Sequence, residues 1–326
     1  MATIKDVAKK ANVSVATVSR VLNRSGYVNE ETRKLVEVAI RELNYVPNEL
    51  ARSLYNKHSK IIGLVVPHLS TYFFSELIET IEEYFAEDSY KLMIFNVRED
   101  LSQEEKVLQV FSQYNIDGLI VVTHIPEIDN YLKLKIPMVM IDHKSDDNII
   151  SISSNNIDGG RQAAEHLVEN GCEYFLHVRG PSVLLTVQDR TTGFNEVIDR
   201  YGFPRFALDL DFRKPDILDI KKFIQAHPKA DAIFCDSDTM AITTIRAAFL
   251  LDKKVPDDLQ IVGFDNIELS ELITPSLTTV QQNIHVIAKH AHEKMIGLIN
   301  GNKDFKSHYS LPVTLIKRES TTKKLP

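Results

Sequence analysis

Arg20 shares one side of a short segment, Val15–Asn23, with Ala16 and Thr17. A guanidinium beside a hydroxyl and a methyl group is equipment for reading nucleic acid. Arginine pairs with guanine edges, hydroxyls take phosphate oxygens, and small apolar groups meet thymine methyls. The surrounding charge fits that chemistry. Residues 1–60 carry eleven Lys and Arg against six Asp and Glu, a net +5 in a chain whose total is −7, so the remainder carries −12. A basic head on an acidic body suits phosphate tracking, because each neutralised phosphate releases counterions.

Covalent chemistry finds little support. Gly159-Gly160 matches neither a dinucleotide fingerprint nor a phosphate loop. His290 and His292, two apart on an expected helix, point away from each other and cannot share a metal. His124, His166 and His177 stand alone and read as ordinary surface or partly buried histidines. Asp236 and Asp238 invite a paired-carboxylate site, but a strand-to-helix turn capped by Asp238 explains them more simply. No catalytic set, metal site or cofactor is expected. Cys172 and Cys235 stand far apart without metal or redox spacing, which points to a reduced cytosol. Met1–Lys10 holds no apolar stretch of a secretory signal, and no apolar run approaches the ~18 residues of a membrane span.

Local signals define the elements that would position the basic segment. Thr3 caps a helix over Ile4–Lys10, with Asp6 in capping-box spacing. Ala11-Asn12-Val13 breaks it, and Ser14 caps Val15–Asn23, whose Val18, Val21 and Leu22 face the first helix. A third helix starts at Asn29, with Glu30 and Glu31 near the positive end of its dipole and Val36, Ala39, Ile40 and Leu43 on its apolar face. Two helices joined by a three-residue turn match a helix-turn-helix. Spacing alone fits any small helical bundle equally well; the charge favours the helix-turn-helix. Pro47 ends the third helix, and Asn48 caps about two turns over Glu49–Tyr55, with Leu50, Ala51 and Leu54 on one face. A helix that short does not hold alone in water. Either it frays as a linker or it buries that face against a partner.

From residue 61 the chain alternates strands and helices. Ile61–Val66 is an apolar strand ended by Pro67, followed by helical spacing at Phe74, Leu77, Ile78, Ile81 and Phe85. Then come Leu92–Val97, Gln103–Tyr114, Gly118–Val122 and Pro137–Ile141. A second series runs through Asp158–Asn170, Tyr174–Val178, Arg190–Tyr201, Ile217–Gln225, Ala232–Cys235, Thr239–Leu251 and Ile261–Phe264. The βαβα rhythm predicts an α/β body of two open parallel-sheet subdomains, with a ligand between them at the carboxyl ends of the strands.

Ala2-Thr3-Ile4-Lys5-Asp6-Val7-Ala8, Val13 through Asn23, Leu43-Asn44-Tyr45-Val46-Pro47-Asn48 and Leu50-Ala51-Arg52-Ser53-Leu54 resemble the headpiece signature of the lactose-repressor (LacI/GalR) family. The resemblance continues over almost the full length. It implies a headpiece over 1–47, a hinge over 48–60 and a periplasmic-binding-protein-like body over 61–326. That body would divide into an N-subdomain, about 61–160 plus 284–312, and a C-subdomain, about 161–283 plus 313–326. A helix at Ile284–Asn300 and a strand near Tyr309–Ile316 would tie them together. The resemblance also places the second helix in the major groove, with Val15, Ala16 and Arg20 toward base edges and Ser14, Thr17, Asn23 and Tyr45 on phosphates. Paired hinge helices would carry Ala51, Arg52 and Leu54 into the minor groove, Leu54 wedging a base step.

Sugars present one apolar face and a rim of hydroxyls, so their sites need aromatics and paired polar groups. Tyr72-Phe73-Phe74-Ser75-Glu76-Leu77 resembles Asn-Pro-Phe-Phe-Ala-Glu-Leu of sugar-responsive relatives, with Thr71 and Tyr72 replacing Asn-Pro. It implies Phe73 and Phe74 at the sugar; core packing is their rival role. The same resemblance assigns Asp142 (followed by His143 where relatives carry Arg), Arg190, Phe212, Ser237 (where relatives carry Asn), Asp265 and Gln282. An Arg and two Asp at strand ends suit a neutral polyhydroxylated ligand, unless Arg190 and Asp265 only pair with each other.

The resulting expectation is a cytoplasmic, homodimeric repressor of a carbohydrate-uptake or catabolic operon. It would sit on a pseudo-palindromic double-stranded operator and be released allosterically by a ribose-like or sucrose-type sugar. The short tail after Ile316, lacking heptads, argues against a tetramerising helix. Three rivals remain: a purine-dependent corepressor mechanism, a catabolite regulator driven by a phosphorylated carrier protein, and a sugar kinase or dehydrogenase, which lacks a nucleotide loop.

Overall fold

The computed structural model describes residues 2–23, 25–46, 58–97, 101–122, 131, 133–143, 149–302 and 304–323. The chain divides into two compact units, Met1–Ser59 and Lys60–Pro326.

In the first unit, α1 (Ile4–Lys10), α2 (Val15–Asn23) and α3 (Glu30–Glu42) enclose a small core of Val7, Ala8, Val18, Val21, Val36 and Ala39. Each helix start is fixed by the side chain expected of it. Thr3 and Asp6 form a reciprocal capping box. Ser14 Oγ accepts from Thr17 N at 3.1 Å, and Asn29 Oδ1 from Thr32 N at 2.7 Å. Asn12 takes φ 52 in the turn between α1 and α2, a left-handed conformation that asparagine tolerates. The expected helix over Glu49–Tyr55 lies outside the described residues.

The second unit contains two six-stranded sheets. The first has order β11-β5-β4-β3-β1-β2: β1 (Ile61–Val66), β2 (Lys91–Asn96), β3 (Gly118–Val122), β4 (Met138–Ile141), β5 (Ile150–Ser154) and β11 (His308–Leu311), all parallel. The helices α4 (Tyr72–Glu87), α5 (Leu101–Tyr114) and α11 (Ile284–Ile299) belong to this lobe. The second sheet has order β12-β10-β9-β8-β6-β7: β6 (Phe175–Arg179), β7 (Arg205–Asp209), β8 (Ala232–Cys235), β9 (Gln260–Asp265), β10 (Thr278–Gln281) and an antiparallel β12 (Thr314–Ile316). Around it lie α6 (Asn156–Glu169), α7 (Leu185–Tyr201), α8 (Ile217–Ala226), α9 (Asp238–Phe249) and the short α10 (Leu269–Leu272).

The connections between the lobes differ from expectation at two points. The single strand expected near Tyr309–Ile316 is two strands, β11 in one sheet and β12 in the other. Pro312, lacking an N–H, separates them. The subdomain boundary expected at about residue 160 falls inside α6, which packs on the second sheet through Ala163, Ala164 and Leu167. The crossing lies earlier, at Asn155, between β5 and α6. The chain returns at Gln282-Asn283, between β10 and α11, and crosses again at Pro312-Val313.

Candidate functional site

A cleft between the two lobes takes its lining from the carboxyl ends of the strands. His68 follows β1, Thr71, Phe73 and Phe74 open α4, and Asp142 follows β4; facing them are Thr186 and Arg190 on α7, Phe212 after β7, Ser237 and Thr239 after β8, Asp265 at the end of β9, and Gln282 after β10. Its volume, open mouth included, is about 580 Å³.

Arg190 is buried and held on three sides. Its Nε donates to Asn156 Oδ1 at 2.8 Å, Nη1 donates to the Asp236 carbonyl, and the guanidinium lies over the Phe264 ring at 3.7 Å. The helices carrying this arrangement touch backbone to backbone. A Cβ on Gly160 would stand 2.1 Å from the Arg190 carbonyl oxygen, and one on Gly193 would stand 1.8 Å from that of Ile157. Gly159-Gly160, uninformative in the sequence, is therefore a packing device: Gly159 also makes room for Phe264, whose ring would lie 2.6 Å from an added Cβ.

Buried carboxylates face Arg190. Desolvation raises Asp142 to about 6, although Arg190 and a backbone N–H from Ser154 favour its charged form. Burial also pushes Asp265 well above the ordinary carboxylate range, against the pull of Arg190 and of Gln282, whose Nε2 donates to its Oδ1 at 2.7 Å. Asp265 and Asn266 hold φ 118 and 61, so the chain turns sharply into the cleft.

Asp238 is not the helix cap expected of it. Ser237 caps α9, accepting from Met240 N. Asp238, the next residue, is wholly buried and accepts from Thr279 Oγ1, Ser270 Oγ and Ile267 N. Burial lifts its pKa to about 6.

Of the residues the resemblance assigns to an effector, His143 is the one that does not line this cleft. Its carbonyl accepts from Ser151 Oγ, and the residue lines a neighbouring cavity with Ser153, Asn155 and His308. Asp142, just past β4 and at φ 57, lines both cavities, whereas His143 lines only the second. The other eight assigned residues converge on the cleft. Phe73 lines the cleft and also belongs to the core of the first lobe. His68, Thr186 and Thr239 carry no sequence signal of their own, except that Thr186 lies one turn before Arg190 on α7.

Three buried polar atoms at this cleft have no hydrogen-bond partner among the described residues: Thr71 Oγ1, Asp142 Oδ1 and Gln282 Oε1. Unpaired buried acceptors are costly and uncommon. A ligand rich in hydroxyl donors matches them.

In the first unit α2 presents Val15, Ala16 and Arg20 to solvent while Val18 and Val21 are buried. Ser14 is exposed; Thr17 and Asn23 are half-buried, Asn23 Nδ2 donating to Ser19 Oγ at 3.2 Å. Tyr45 packs half-buried against the small core. Ala51, Arg52 and Leu54 lie outside the described residues.

A helix-turn-helix unit and a two-lobed α/β body with a polar interlobe cleft define a ligand-responsive DNA-binding regulator. Family models match residues 3–48 as bacterial regulatory proteins of the lacI family and 164–321 as a periplasmic binding protein-like domain. The chain is 41% identical over 322 residues to a ribose operon repressor of Halalkalibacterium halodurans, covering 98% of this chain and 97% of that one. It is 36% identical over 326 residues to a sucrose operon repressor of Streptococcus mutans, covering 98% and 99%. Its fold is similar to that of a lac repressor dimer bound to operator and an anti-inducer, with TM-score 0.89 and 26% identity over 98% and 99% of the two chains. The chain belongs to the lacI family of bacterial regulatory proteins. Among the described residues no helix is long and apolar enough to cross a membrane.

Proposed function

We propose that this chain is a homodimeric repressor of a carbohydrate uptake or catabolic operon, released from a pseudo-palindromic operator by a small neutral sugar. Ribose is the first candidate and sucrose the second. The observation that carries this reading is the group of unpaired buried polar atoms, Thr71 Oγ1, Asp142 Oδ1 and Gln282 Oε1, set opposite a preorganised Arg190. Hydroxyls donate to the first group and accept from the second. Phe73, Phe74 and Phe212 would cover the apolar face of the ring, with Ser237 and Asp265 completing the polar rim.

Residues 1–47 would read the operator, with Arg20 paired to guanine, Val15 and Ala16 on apolar base edges, and Ser14, Thr17, Asn23 and Tyr45 on phosphates. Residues 48–60 would form the hinge, carrying Ala51, Arg52 and Leu54 to the minor groove. The protein acts in the cytoplasm by binding and not by catalysis. The sugar shifts the lobes only as far as its affinities for the two arrangements differ.

A thermal-shift screen of the full chain tests this. A true effector at a hundred times its dissociation constant adds about 2.7 kcal/mol. Ribose or sucrose should raise the melting temperature and ribose 5-phosphate should not. Stabilisation by hypoxanthine alone would overturn the sugar reading in favour of a purine corepressor.

A further inference from the structure

Asn156 is a buried amide that the sequence did not single out and that does not line the sugar cleft. It is the first residue of α6, immediately after the crossing at Asn155. Both ends of its side chain are used, and they reach different lobes. Oδ1 accepts from Arg190 Nε at 2.8 Å, and Nδ2 donates to the Ser154 carbonyl at 3.1 Å. Ser154 is the last residue of β5, paired with Leu311 of β11 in the first sheet. Its N–H in turn supports the Asp142 carboxylate. A hydrogen-bonded path therefore runs from Ser154 of one lobe, beside the Asp142 carboxylate, through Asn156 to Arg190 of the other.

The surroundings make that path sensitive to lobe rotation. Because Gly160 and Gly193 lock α6 to α7, Asn156 and Arg190 move as one piece with the second sheet. Ser154 moves with the first. Between them stands Asn155 at φ −74, ψ 77, neither helical nor extended, capping α6 with its side chain on Asp158 N. The return crossing has the same form. Asn283 stands at φ −83, ψ 88 and caps α11 through Val286 N, and its neighbour Gln282 holds Asp265. At each of these two crossings an amide adjoining the capping asparagine grips one charged group of the cleft.

We propose that Asn156 is a positioning residue that transmits cleft occupancy to the hinge: a ligand drawing on Arg190 and Asp142 together loads the Asn156–Ser154 bond and sets the angle between the lobes. This rests on the sugar-responsive reading above. Asn156 touches no ligand; it acts through Arg190.

The test uses the full-length protein, operator DNA and ribose, and reads the ratio of operator dissociation constants with and without saturating ribose. Asn156→Asp keeps the acceptor for Arg190 Nε but removes the donor to Ser154. Asn156→Ala removes both. With Asn156→Asp, ribose should bind within about twofold of its original affinity while the ratio falls about fivefold toward one, the loss of one hydrogen bond's share of the coupling. Asn156→Ala should lose ribose affinity and coupling together. A full ratio in either variant overturns the proposal, as does an Asn156→Asp that weakens ribose binding but preserves the ratio, which would reduce Asn156 to a support for Arg190. Should Asn156→Asp fail to fold, the ratio in Asn156→Ala decides. If the unaltered protein itself gives a ratio of one, the sugar-responsive reading falls first and takes this proposal with it.

Discussion

Replacing Arg190 by alanine should destabilise the unliganded protein in a way that depends on pH. Arg190 favours the charged forms of Asp142 and Asp265, both buried. Removing one partner from a buried ion cluster costs about 3–5 kcal/mol, because the remaining charges lose their compensation. Loss of the contact over Phe264 adds about 1–2 kcal/mol. Repacking recovers part of this, so a net of about 4 kcal/mol at pH 7.5 is expected, a fall in melting temperature of about 10 °C for a domain this size. The carboxylates have an escape, since they can take up protons. Asp142, at about 6 even beside Arg190, is already largely neutral at pH 5.5. Below that pH neither protein gains much from the pairing, so the difference should shrink to about half. Calorimetric melts of both proteins at pH 7.5 and 5.5 measure this directly. An Arg190→Ala protein equally destabilised at both pH values, or not destabilised at all, would refute the assignment of Arg190 as the counterion of these carboxylates.

Folded-state pKa values of about 6 for Asp142 and Asp238 lie above their unfolded values, so the folded chain binds protons that the unfolded chain has released. Stability should therefore rise as pH falls from 7.5 toward 5, by up to about 1.4 kcal/mol per pH unit per group. His166, lowered to about 4 by burial, opposes this with a single proton. Asp142→Asn should flatten the slope, and an unchanged slope in melts across this range would count against a buried, titrating Asp142. Gly193→Ala should cost more than about 3 kcal/mol, because its Cβ would meet the Ile157 carbonyl; an unshifted melting temperature would mean that α6 and α7 separate freely. Arg20→Ala should weaken operator binding by about 1–3 kcal/mol and relax preference at one base position. Equal losses on every operator variant would make Arg20 a phosphate contact instead.

Local chemistry made the first unit legible. Thr3, Ser14 and Asn29 each sit where an oxygen must accept from the next turn, and each does. Apolar runs likewise announced β1, β3 and β8. The strands that escaped notice lacked that signature. β5 reads Ile-Ser-Ile-Ser-Ser, buried despite its hydroxyls, and β7 is an exposed edge flanked by Pro204. β10, Thr-Thr-Val-Gln, is buried through its threonines, which bond to Asp238, Arg318 and Thr321. The roles of Gly159, Gly160 and Gly193 could not be read either, since close approach of two helices depends on partners distant in the chain. For the cleft, the family resemblance supplied positions that spacing could not. It carried over Asp142 and Arg190 but said nothing of Asn156, which acts behind them. It also promoted His143, which lines the neighbouring cavity and not the cleft.

A sugar in the interlobe cleft should loosen the grip of the helix-turn-helix on DNA. Fluorescence anisotropy of labelled operator, titrated with full-length protein at rising ribose concentrations, tests it most directly. The dissociation constant should climb and then plateau as the cleft saturates, and the Arg190→Ala protein should hold one value throughout. Operator binding that stays constant or tightens as ribose is added to the unaltered protein would contradict the account.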